Sequence, residues 1–151
     1  MNNIYGTLNE LLVKLFNNIL HIEELALKAG EFNDLTINEI HVIEAIGLDR
    51  RNMSSVAKDL DITIGTLTIS INNLYNKGYV NRTRGNEDRR IVFISLTDKG
   101  QRVYSHHAAF HEEMIKTTIS KLNEEEMAVL VSALGNINIY FKEKYNTNKK
   151  G

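Results

Sequence analysis

The chain has 151 residues, 42% of them hydrophobic and 25% charged, with a net charge of −1; this is enough for one domain with a real core, and ordinary for a soluble fold. It contains no cysteine, which excludes disulfides and thiolate chemistry, and no proline, which suits a mostly helical chain. No apolar run is long enough to span a bilayer and no signal-peptide pattern opens the sequence, so the expected address is the cytoplasm, with no membrane partner.

From Ile4 to about Lys28 the apolar positions Ile4, Leu8, Leu11, Leu15, Ile19, Ile22 and Leu25 recur every three or four residues, which predicts a long amphipathic helix stopped near Gly30. "TINE" opens the next helix as a capping box, with Thr36 capping and Glu39 reaching back. That helix should bury Ile40, Ile43 and Ile46 and end at Gly47. A short helix follows with Val56, Ala57 and Leu60. Asp61-Ile62 make a tight turn, and Thr63 caps a second helix that turns Ile64, Leu67, Ile71 and Leu74 inward and stops at Gly78.

"YVNRTR" and "IVFISL" are rich in β-branched and aromatic residues and flank "GNEDRR", which reads as a hairpin with a six-residue tip. Thr97 caps another long helix, running to about Lys121, and Asn123 with Glu126 forms a further capping box. The last helix carries Met127, Leu130, Leu134, Ile137 and Phe141 at alternating spacings of three and four, the rhythm of a helix–helix seam. Two helices across a tight turn, then a charged hairpin, describe a winged helix-turn-helix. The fold expected is mainly α, with a small β-hairpin wing. The long terminal helices carry more apolar surface than this module covers; a two-fold dimer or an intramolecular helical layer would bury it.

Charge is unevenly spread. From Thr63 to Arg102 seven basic residues face three acidic ones, so this segment carries +4 and the remainder −5. A basic patch inside an acidic chain is the footprint expected of nucleic-acid binding. Stepping 100° per residue along the second helix of the pair places Gly65, Thr66, Ile69, Asn73 and Asn76 outward, with Thr68 and Asn72 on the flanks. This face is small and polar. Thr and Asn bond phosphates and base edges, Asn prefers adenine, and Ile touches a thymine methyl. A hairpin beside such a helix reaches the adjacent minor groove, where arginine favours narrow A·T-rich tracts. Arg82, Arg84, Arg89 and Arg90 accumulate there, with Asp88 placed to pair with Arg90.

At these residues the sequence resembles the MarR family of bacterial repressors. The marks are Thr66-Leu67-Thr68, Gly78, Arg82, Asp88-x-Arg90, Leu96-Thr97 and Gly100, and the helix layout fits over residues 1–145. The resemblance implies a homodimer, with residues 1–35 and 97–146 as a helical dimerisation domain, residues 36–96 as the DNA-binding domain and 147–151 as a disordered tail. It also implies an A·T-rich inverted-repeat operator. Ile69 departs from the pattern, since the family often carries a basic residue there. "LFNNILHIEEL", "EIHVIEAIG", "TIGTLTISINNL", "EDRRIV" and "HAAFHEEM" are similar to the subgroup that represses fatty-acid synthesis genes, for which long-chain acyl-acyl carrier protein is the corepressor.

His107 and His111 lie at i,i+4 on one helix face, a spacing that chelates metals. With Glu23 and His41 they match, residue by residue, the zinc site of the zinc-responsive MarR subgroup; that subgroup's second site uses a cysteine, absent here. The other reading of these four residues is a buried His–Glu hydrogen-bond network. No nucleophile turn, phosphate loop or zinc-hydrolase helix is present, so an enzyme is not expected, and a metal-dependent hydrolase is the remote alternative. A protein-binding winged helix without a DNA role would leave the wing arginines unexplained.

Overall fold

In a computed structural model, which describes residues 2–146, the chain runs α1 (Asn2–Ala29), α2 (Ile37–Ile46), β1 (Arg51–Asn52), α3 (Met53–Asp59), α4 (Ile64–Asn76), β2 (Val80–Arg84), β3 (Val92–Leu96), α5 (Asp98–Ile119) and α6 (Glu124–Asn146). The tail expected at 147–151 lies outside the described residues. The chain divides inside α5 into two compact units, Met1–Ala108 and Ala109–Gly151.

The first unit holds the core. Its helix boundaries are set by local hydrogen bonds. Thr36 Oγ1 accepts from the Glu39 amide at 3.2 Å while the Glu39 carboxylate accepts from the Thr36 amide at 2.8 Å, closing the capping box. Asn52 caps α3 by accepting from the Ser55 amide at 2.8 Å. Asp61 makes the turn between α3 and α4 in the left-handed region, at φ 53°, a conformation aspartate tolerates better than most residues. Thr63 Oγ1 then accepts from the Thr66 amide and starts α4. At the far end Gly78, at φ 83°, lets Tyr79 N–H reach back to the Leu74 carbonyl and Gly78 N–H to that of Tyr75. This is a Schellman closure, and it aims the chain straight into β2.

Leu67, Ile71 and Leu74 of α4 are buried, packed in one cluster with Ile43 and Ile46 of α2, Val56 of α3, Ile94 of β3 and Val103 of α5. Ile64 is the exception to the predicted inward face, being 51% exposed. It opens the first turn of α4, and its side chain lines a groove shared with α3 and the hairpin rather than the core. The sheet is antiparallel, in the order β1-β3-β2, with Val80 opposite Leu96 and Arg84 opposite Val92. The hairpin is the expected one, but its tip spans the seven residues 85–91, one more than expected, because Ile91 N–H donates to the Asp88 carbonyl at 3.2 Å and stays outside the strand. The two-residue strand β1 is additional: Arg51 and Asn52 pair with Ile94 and Phe93.

α1 leaves Ile4, Leu8, Leu11, Leu15, Ile22 and Leu25 exposed in the single chain. In the second unit the Asn123/Glu126 box is present, both bonds at 2.9 Å. α5 ends at Ile119, slightly short of the expected Lys121. Of the α6 seam, Leu134 and Phe141 are exposed and Met127, Leu130 and Ile137 are half-buried. Among the described residues, no helix is long and apolar enough to cross a membrane.

Candidate nucleic-acid interface

Gly65, Thr66, Thr68, Ile69, Asn72 and Asn73 are all exposed on α4, and Ile69 stands 65% exposed without a basic neighbour on that face. The hydroxyls are already partly used. Thr66 Oγ1 lies 2.9 Å from Thr63 Oγ1, and Thr68 Oγ1 donates to the Ile64 carbonyl at 2.8 Å. A hydroxyl has one hydrogen, so Thr68 as it stands presents lone pairs and a methyl group outward. Gly65 is informative in another way. A Cβ there would meet nothing nearer than Thr63 Oγ1 at 3.9 Å, so nothing in this chain's own packing requires a glycine at that position.

The wing is rigidly built. Gly85 is required, because a Cβ would lie 2.6 Å from the Asp88 carbonyl oxygen. Its amide donates to the Ile91 carbonyl at 2.8 Å and closes the tip. Asp88 accepts from Arg90 three times: from the backbone amide at 3.0 Å, from Nε at 3.1 Å and, on Oδ2, from Nη2 at 3.1 Å. The side-chain bonds from Arg90, and then the backbone bond, hold the Asp88 carboxyl below the usual carboxylate range. The Arg90 side chain is nonetheless 91% exposed, a presented guanidinium on a fixed base. Arg84 and Arg89 are exposed beside it.

Arg82 is placed differently. Its Nη1 donates to Asn72 Oδ1 on α4, and its guanidinium carbon lies 4.3 Å above the Tyr75 ring. Three other members of the basic segment serve the fold. Lys77 binds the Glu39 carboxylate at 2.9 Å and the Asp34 carbonyl at 2.6 Å, Lys99 binds the Lys77 carbonyl at 3.0 Å, and Arg102 pairs with Glu31 at 2.8 Å. Arg50, outside that segment and overlooked in the sequence, stacks 4.2 Å over Phe93 at the base of the wing.

The histidine cluster also takes shape within the first unit. Buried Glu23 on α1 lies 3.9 Å from His41 Nε2 and 3.9 Å from His107 Nε2. Glu44, missed in the sequence although it stands three residues after His41 on α2, lies 3.3 Å from His107 Nε2. One donor atom each from His41, Glu44 and His107 falls within 4.8 Å of the others. His111 is half-buried one turn further along α5, its ring 5.7 Å from that of Phe110.

A profile described as "Transcriptional regulator SarA/Rot" matches residues 28–107, more than half of the chain and the part of the first unit that follows α1. The chain belongs to the SarA/Rot family, of MarR-like winged-helix type. This SarA/Rot-family chain is a DNA-binding transcriptional regulator. It is 41% identical to Streptococcus pneumoniae FabT, solved in complex with DNA, over 92% of this chain and 98% of that one, with a TM-score of 0.86. It is 30% identical over 106 residues to SarZ of Staphylococcus haemolyticus, covering 70% of this chain and 71% of SarZ. Against YhjH of Bacillus subtilis, an HTH-type transcriptional regulator, identity is 27% over 110 residues; the match spans 70% of this chain and 63% of YhjH.

Proposed function

We propose that this regulator is a dimeric, sequence-specific repressor of fatty-acid synthesis genes, with long-chain acyl-acyl carrier protein as corepressor. It acts in the cytoplasm, by binding alone and without catalysis. The observation that carries the DNA reading is a single one: the exposed small-polar face of α4 stands beside a wing whose Arg90 is presented on an Asp88 clamp. α4 enters the major groove with Gly65, Thr66, Thr68, Ile69, Asn72 and Asn73. The wing reaches the adjacent minor groove with Arg84, Arg89 and Arg90. The fatty-acid assignment rests on the kinship with FabT at 41% identity and on the sequence segments that resemble that subgroup.

Residues 1–35 and 97–146 form the dimer and residues 36–96 read DNA. The exposed apolar stripes of α1 and α6 support a two-fold partner, because patches of this extent rarely stay in water. Two α4 helices so paired meet half-sites about one helical turn apart, roughly 10 bp, on an A·T-rich inverted repeat. A corepressor tightens binding only through a higher affinity for the dimer spacing that fits DNA.

A second reading has its own observation. His41, Glu44 and His107, with Glu23 buried between them, form a two-imidazole, carboxylate donor set. Tetrahedral zinc ligands at about 2 Å stand about 3.4 Å apart, close to the 3.3 Å between His107 and Glu44. The residues therefore fit zinc, and zinc held there would join α1, α2 and α5. The test is operator affinity titrated separately with zinc, with long-chain acylated carrier protein and with unacylated carrier protein. Tightening by the acylated carrier alone is expected. Tightening by zinc, abolished in His107→Ala, would replace the first reading with the second.

A further inference from the structure

The bond between Arg82 and Asn72 joins the wing to the outer flank of α4, and it constrains what that flank offers to a base. Arg82 sits on β2 opposite Ile94. Its guanidinium is held at two points on α4: Nη1 donates to Asn72 Oδ1, and Cζ lies 4.3 Å over the Tyr75 ring. A guanidinium has five donors and no acceptor. Whatever faces it on the Asn72 carboxamide must therefore be the oxygen, and the amide N–H2 is turned to the other side.

This changes the chemistry of Asn72. A free asparagine presents a donor and an acceptor side by side, which matches the N7 and N6 positions of adenine. Oδ1 keeps a second lone pair, but with the oxygen turned toward Arg82 the group left on the side away from it is the N–H2 donor. We infer that Arg82 is a positioning residue that fixes Asn72 as a hydrogen-bond donor, so that Asn72 selects a base edge presenting acceptors, guanine N7/O6 or thymine O4, and disfavours adenine. The inference rests on α4 being the DNA-reading helix. It takes Arg82 out of the set of wing arginines that meet DNA directly. Arg90, by contrast, is anchored on its own loop through Asp88 and leaves its guanidinium outward.

The ring of Tyr75 matters to this argument. A single exposed hydrogen bond between two flexible side chains is easily exchanged for water. Stacking on an aromatic face removes much of the freedom of the guanidinium before any bond is made. The carboxamide is thereby oriented in the free protein, ahead of contact with a base.

The test is selection of binding sites from a random duplex pool, read by sequencing, with the full-length protein. Asn72→Ala locates the base pair that Asn72 reads, as the position in each half-site whose preference is lost. The wild type should prefer guanine or thymine there, presented toward the helix. Arg82→Met keeps an aliphatic stem over Tyr75 and removes the donors. It should shift preference toward adenine at that same base pair, by roughly fivefold or more, and leave other positions as they were. Its lost charge lowers affinity evenly across sequences, which is a separate readout. The double variant should match Asn72→Ala at that position. Arg82→Leu, apolar and without a donor, serves if the methionine variant does not fold. A wild-type preference for adenine at that position would overturn the inference, as would an unchanged preference in both Arg82 variants. Failure of the wild type to enrich any sequence would overturn the DNA-reading role of α4 itself, and is distinguishable from both.

Discussion

Two glycines at helix starts should respond in opposite directions to the same substitution. Gly100 lies in the first turn of α5. A Cβ there would stand 2.2 Å from the Tyr79 carbonyl oxygen and 3.2 Å from Leu96 Cβ. Tyr79 cannot simply withdraw. Its carbonyl accepts from the Thr97 amide at 3.0 Å, and Thr97 Oγ1 donates to the Gly78 carbonyl at 2.7 Å. The first turn of α5 is thus fastened to the turn that leads from α4 into the wing, and the nearest obstacle is the Tyr79 backbone. Overpacking of this kind costs about 1–3 kcal/mol, and a rigid backbone obstacle belongs at the top of that range. Better helix propensity of alanine returns at most about 1 kcal/mol, leaving a net loss of about 2 kcal/mol. For a chain of this length that lowers Tm by about 4–8 °C. Gly65→Ala is the counterpart. Its Cβ enters open space, so Tm should hold or rise by up to about 2–4 °C, while affinity for the operator falls because the added methyl separates the α4 backbone from DNA. Both variants are melted by differential scanning calorimetry at one protein concentration, since association shifts Tm. A Gly100→Ala melting point within 1 °C or so of the wild type would refute the close-approach argument; destabilisation by Gly65→Ala would refute the claim that its glycine serves contact with DNA rather than the fold.

Arg90→Ala should weaken operator binding and flatten its salt dependence by about one phosphate-equivalent per protomer, measured as log Kd against log salt; an unchanged slope and affinity would remove the wing contact. In the same variant the Asp88 carboxyl should titrate higher than in the wild type, followed by carboxyl-carbon NMR. Its folded value is depressed by Arg90, so the clamp is fully present above the ordinary carboxylate range and is lost only as pH falls through the depressed value; a midpoint that does not rise in Arg90→Ala counts against it. Tyr79→Phe removes the 2.6 Å bond from the phenol to Asp34 Oδ1 and should destabilise by about 1–2 kcal/mol in urea unfolding. Burial first, and then Asp34, raise the Tyr79 phenol well above the ordinary tyrosine range. Stability from this pair is therefore full at neutral pH and lost only in strong alkali, and Tyr79 should be silent in a spectrophotometric titration that ionises exposed tyrosines.

Features written within four or five consecutive residues were legible in the sequence, because their physics closes locally. The Thr36/Glu39 and Asn123/Glu126 boxes, the Thr63 cap, the turn at Asp61 and the stop at Gly78 each satisfy backbone groups of their own segment. Periodicity was read correctly where a partner surface existed, as at Leu67, Ile71 and Leu74. It misled at Ile64, since a helical wheel gives a direction but not whether anything lies there to be buried against. Net charge was a coarser guide. It counted Lys77, Lys99 and Arg102 with the wing, whereas Glu39, the Lys77 carbonyl and Glu31 hold them elsewhere.

The sequence by itself determined the order of the helices and of the two hairpin strands, the helix-turn-helix with its charged hairpin, and the presence of small polar residues on α4 with arginines on the wing. Only the tertiary structure decided which of those arginines points outward. Asp88 fixes Arg90 from two residues away, but Arg82 is bound ten residues back to Asn72 and stacked on Tyr75. It likewise brought Glu44 to His107 and paired Arg51 and Asn52 with β3. The reason is physical. Caps and turns are satisfied within one stretch of chain, so residue type and spacing suffice to find them. Pairings between distant segments depend on how the core packs Leu67, Ile71, Ile94 and Val103 together, and no local pattern carries that information.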